Sequence, residues 1–158
     1  MHYSDMAQHL KELEDFINLK DGIEPITITE VVNPNNVPFI GDKRDENKHA
    51  IPYPPSSELS RTSGIYIFIN EDELIMYIGK ASENNVRDRI WDHIKTPEPS
   101  NKEGWITFPK NKFNSDIVTE GKVKVGIFKV SPAKYSSLVE VYLQTISTKL
   151  PEYCLQIG

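Results

Sequence analysis

Three observations predict an α+β fold. Two short runs rich in β-branched and aromatic residues, GIYIFIN from Gly64 and LIMYIG from Leu74, flank the acidic turn Glu71-Asp72-Glu73 and read as a β-hairpin. Apolar residues at helical spacing occur before, between and after the strands. From Gly64 onward the element order is β-β-α-β-α, and a helix and a strand precede it.

The elements follow from local chemistry. Residues 4–19 read as a helix: Ser4 is the expected cap, Asp5 falls in the first turn, and Met6, Leu10, Leu13 and Ile17 share one face. Gly22 follows as a stop signal. Residues 26–32 are β-branched and read as a strand. Residues 33–63 hold Pro34, Pro38, Pro52, Pro54 and Pro55 and read as a long irregular segment. After the hairpin, Asn84 or Asn85 is placed to cap a helix running to about Lys95, with Val86, Ile90, Trp91 and Ile94 on one side. Residues 96–121 read as a loop, with a short extended piece around Trp105. A third strand is expected over residues 123–130. Ser131-Pro132 then reads as a cap and first position of a helix running to about Thr148, and residues 155–157 as a short last strand.

The 158-residue chain is about one domain in size and large enough to bury a core. No apolar run approaches the roughly 20 residues of a membrane span, and the N-terminus has no signal-peptide pattern. The single Cys154 rules out an internal disulfide and a cysteine metal cluster, so a cytoplasmic setting is expected. The net charge of −5 argues at first against a nucleic-acid binder. Residues 1–63 carry 6 Lys+Arg against 11 Asp+Glu, whereas residues 64–158 carry 12 of each. The acid excess therefore belongs to the first segment. In the second, Lys110, Lys112, Lys122, Lys124, Lys129 and Lys134 offer cations to a phosphate backbone, with a solvated strand face as the plain alternative.

The chemistry-bearing residues cluster in the second segment. Gly64-Ile65-Tyr66 and Tyr77-Ile78-Gly79 lie on the two hairpin strands, which brings the two phenols near one another. Lys80 follows directly. Arg87, Arg89 and His93 lie on the next helix, with Arg89 and His93 four apart on one face. Glu140 stands inside an apolar helical run, where an acid needs a partner or a job.

These residues resemble the GIY-YIG nuclease family, whose two naming tripeptides are both literal here. The resemblance covers about residues 62–158. It implies a small three-stranded antiparallel sheet flanked by helices, with residues 1–63 as an N-terminal extension of helix, strand and Pro-rich loop. It also implies divalent-metal-dependent hydrolysis of DNA phosphodiesters, with Mg²⁺ or Mn²⁺ as cofactor and double-stranded DNA as partner. By position, Tyr66 matches the family's proposed general base and Tyr77 the second conserved tyrosine. Arg89 matches the arginine that holds the scissile phosphate, with Arg87 as its rival. His93 matches a histidine that several members carry, and Glu140 matches the metal ligand. Gln156 stands where the family has an asparagine, and Lys80, Arg87 and Gln156 are assigned to substrate binding.

Physical chemistry makes the same set reasonable. Phosphodiester hydrolysis needs charge neutralised on the phosphoryl and leaving oxygens, and a guanidinium fork supplies this. Mg²⁺ binds through one or two carboxylates, substrate phosphate and waters, so one glutamate suffices. A phenol with a pKa near 10 is a poor base at pH 7, which leaves Tyr66 and His93 as competing bases. The expected protein is a compact restriction-type or mobile-element nuclease, and a homodimer would bring two active sites to a symmetric target. The rival readings are a non-catalytic nucleic-acid-binding or protein-interaction domain on the same scaffold, and a nuclease effector masked by its acidic first segment.

Overall fold

The computed structural model describes residues 1–37, 57–94 and 123–147, without the side chains of Ser60 and of residues 91–94. The expected loop at residues 96–121, the last strand at 155–157 and Gln156 lie outside the described residues.

Helix α1 spans Tyr3–Asn18 and buries Met6, Leu10, Leu13 and Ile17, the stripe set by their spacing, together with Tyr3. It begins one residue before the expected cap: Ser4 lies inside it, and His2 takes the cap position without a side-chain hydrogen bond. What holds the start is backbone pairing with the hairpin turn. Tyr3 N–H donates to the Glu73 carbonyl, and Ile75 N–H donates to the Met1 carbonyl.

Strand β1 is Thr27–Val32, β2 is Gly64–Ile69, β3 is Ile75–Ala81 and β4 is Lys124–Ser131. They form one antiparallel sheet in the order β1-β4-β2-β3. The sheet thus has four strands where three were expected. The fourth is β1, which pairs along β4 from Thr27 opposite Ser131 to Val32 opposite Ile127. The first segment is therefore continuous with the sheet that carries the two tripeptides.

Helix α2 is Val86–Ile94 and α3 is Ser136–Ile146. Alternation along the strands divides the core in two. Ile65, Ile67, Ile69, Ile78, Phe128 and Val130 pack with α1 and with Val139 and Leu143 of α3. Tyr66, Phe68, Tyr77, Val125 and Ile127 pack on the opposite side with Val86 and Ile90 of α2. Ser131-Pro132 does not open α3 as expected. β4 continues to Ser131, Pro132 caps a single 3₁₀ turn at Ala133–Tyr135, and α3 starts only at Ser136.

The lysines of β4 do not form one basic stripe. β4 is an inner strand, and Lys124 and Lys129, five positions apart, fall on opposite faces of the sheet.

Candidate functional site

The site forms around β3, an outer strand of the sheet. Register places Tyr66 opposite Gly79 and Phe68 opposite Tyr77. The Tyr66 ring lies across Gly79, where any Cβ would run into the phenol. Gly64 has a different reason: its φ of +156° and the Phe128 carbonyl against it leave no room for a side chain. Both motif glycines thus act through backbone conformation and close packing.

Tyr66 and Tyr77 have ring centroids 6.1 Å apart, and Phe68 stands 6.0 Å from each. Tyr66 is fully buried, and Tyr77 is 9% exposed. The two phenols hydrogen-bond one another, and Arg89 bonds to Tyr66. The mutual bond pushes the Tyr66 phenol up and the Tyr77 phenol down. Burial is the main force pushing the Tyr66 phenol far above its usual range, and the Arg89 charge only partly opposes it. Burial also raises Tyr77, against the opposing hydrogen bond from Tyr66.

From the other side of β3, Lys80 reaches α3. Its Nζ donates to Ser137 Oγ at 2.7 Å and lies 3.8 Å from a Glu140 carboxylate oxygen. The Glu140 side chain is only 18% exposed. Burial raises its pKa, and the charges of Lys80 and Arg89 pull it back. Glu140 also acts electrostatically on Tyr77. Tyr66, Tyr77, Lys80, Arg89 and Glu140, drawn from four elements, therefore make one coupled group around one strand. An open pocket of about 200 Å³ adjoins it, lined by Lys80, Ala81, Ser82, Glu83, Asn85 and Arg89.

Not every expected residue joins. Arg87 is two positions from Arg89, about 200° round the helix, and its Nε is buried without a hydrogen-bond partner among the described residues. Of the two arginines, Arg89 is the one that bonds to Tyr66 and lines the pocket. His93 lies in the last turn of α2, one turn beyond Arg89, and its side chain is outside the described residues, as is Gln156.

Two contributors escaped the sequence reading. Ser137 holds Lys80, and Ser63 hydrogen-bonds to Asn84 in the loop entering α2. Neither bears a motif, and only the fold places them. Asn85 precedes α2 as expected and its carbonyl accepts the Arg89 N–H, but its side-chain Oδ1 makes no bond among the described residues.

Comparison of the chain with protein-family models, curated proteins and solved structures finds no match. Among the described residues no helix is long and apolar enough to cross a membrane, and no group of three His, Cys, Asp or Glu residues converges as a metal cluster.

Proposed function

We propose that the chain is a divalent-metal-dependent DNA endonuclease of the GIY-YIG type, acting on double-stranded DNA. One observation carries the reading: Tyr66, Tyr77, Arg89 and Glu140, far apart in sequence, are coupled around β3. A binding module has no need of all four.

The donor set fits a hard cation. Glu140 offers one mostly buried carboxylate, and phosphate and water oxygens complete such a shell around Mg²⁺ or Mn²⁺. When bound, the ion supplies Lewis acidity to the phosphoryl group. The chain's own residues do the rest. Arg89 presents a guanidinium to the scissile phosphate while anchored to Tyr66. Lys80 balances Glu140 in the resting site and adds a second cation for the phosphate. Tyr66 stays a neutral phenol whose oxygen accepts from Arg89 and whose hydroxyl bonds with Tyr77, a role its burial suits better than proton abstraction. His93 then becomes the favoured base. A compact restriction-type or mobile-element enzyme is the form we favour, as a homodimer in the cytoplasm, where the lone Cys154 stays reduced.

One observation favours the rival, a non-catalytic nucleic-acid-binding domain. Both phenols are pushed upward, so neither is a ready base at neutral pH. Incubation of supercoiled plasmid with Mg²⁺, with and without EDTA, separates the two. Cleavage that requires both the metal and Glu140 is expected. DNA retention without cleavage of double-stranded, single-stranded or branched substrates supports the rival.

A further inference from the structure

Arg89 has to be aimed, and α2, a helix of nine residues, does the aiming. Its first turn hangs on two residues that precede the first tripeptide. The Thr62 carbonyl accepts the N–H of Val86, the first residue of α2. Ser63, only 4% exposed, bonds twice to Asn84: Ser63 Oγ donates to Asn84 Oδ1 at 2.9 Å and accepts the Asn84 N–H at 2.7 Å. The Ser63 carbonyl accepts the Val130 N–H, which fixes this clamp to the inner strand β4. Asn84 needs holding, because its φ of +54° is a left-handed conformation that a non-glycine residue adopts at a cost. The same loop supplies Ser82, Glu83 and Asn85 to the wall of the pocket beside Arg89.

We propose that Ser63 is a positioning residue for Arg89. Its hydroxyl locks Asn84 in the left-handed turn, sets the entry of α2 and so fixes where the guanidinium stands relative to Glu140. The catalytic part of this proposal rests on the nuclease reading; the structural part does not.

The experiment has two arms. Backbone hydrogen exchange compares the wild type with Ser63→Ala and Ser63→Thr. In Ser63→Ala the amides of Val86 and Arg89 should exchange at least about tenfold faster, while those of Ile67 and Ile127 stay protected. Ser63→Thr, which keeps the hydroxyl, should restore protection. Unchanged exchange at Val86 and Arg89, or loss spread evenly over the sheet, overturns the clamp whether or not the protein cleaves DNA.

The second arm is kinetic. Ser63→Ala should lower kcat about 10- to 100-fold with KM for DNA within about twofold, the result of a misplaced group rather than lost binding. In an Arg89→Lys background the same change should have little further effect, because both act through one guanidinium. Fully multiplicative losses overturn the route through Arg89. A wild type inert with Mg²⁺ rejects the nuclease reading and with it the catalytic role of Ser63, and the exchange arm then decides the clamp alone.

Discussion

The two faces of the sheet are built differently. One is mainly aliphatic: five isoleucines and Val130 from the strands, with Phe128 among them, meet two helices, α1 and α3. The other is aromatic, with Tyr66, Phe68 and Tyr77 meeting α2. Each buries polar groups that must be satisfied: on the first, the Tyr3 hydroxyl donates to Glu30, and on the second, the two phenols bond one another and Arg89 bonds to Tyr66. An aliphatic layer is indifferent to orientation within its volume, whereas a hydrogen-bonded phenol pair has one good arrangement. Lys80 with Glu140 brings the α3 side to meet the phenols and Arg89 at β3.

This division can be broken by experiment. The largest effect is expected from Glu140→Gln, which should reduce Mg²⁺-dependent plasmid cleavage to background while the circular dichroism spectrum stays unchanged; persistent cleavage would remove Glu140 from the site. Next comes Arg89→Lys. Loss of the fork should lower the rate by about 10²- to 10³-fold with DNA binding largely retained in a filter assay. Leu10→Ala probes the aliphatic face. It should lower unfolding free energy by about 2–4 kcal/mol in urea titration and leave the specific activity of the folded fraction intact. An activity loss beyond the unfolded fraction would mean that the two faces are not separable.

How much of this was legible beforehand depends on the range of the interaction. The stripe Met6, Leu10, Leu13 and Ile17 and the tyrosines at 66 and 77 follow from local periodicity and a short turn, and the structure buries or pairs them accordingly. Glu140 stood out because an acid in an apolar helix is conspicuous, and it does have a partner in Lys80. β1 was recognised as a strand, but its place beside β4 was not, since roughly a hundred residues separate the two and composition does not state which edge a strand joins. Ser63 and Ser137 were silent for the same reason. A serine announces nothing until the fold shows what its hydroxyl touches.

Smaller effects sharpen the comparison further. Tyr66→Phe removes a buried hydroxyl bonded to Tyr77 and Arg89, so it should cost about 1 kcal/mol in stability and lower kcat more than it changes KM. The smallest effect has the opposite sign. Burial raises the folded-state pKa of Glu140 above its ordinary value, so the folded protein carries an unfavourable carboxylate at pH values above that raised pKa. The penalty fades as pH falls through the raised value and is absent below the unfolded one. Without metal, Glu140→Gln should therefore raise the melting temperature slightly at pH 7 and leave it unchanged at pH 3. A lower melting temperature at pH 7 would show that the Lys80 pair outweighs the burial.

The Tyr66 ring resting on Gly79 links the two tripeptides as a plug and its seat. Neither half is a portable unit. A strand bearing the tyrosine finds no place for it unless the neighbouring strand leaves that place bare. Drift at position 79 towards even the smallest side chain would evict the phenol, and so would loosen the arginine bonded to it. Grafting this arrangement onto another hairpin would mean transferring an absence along with the residues.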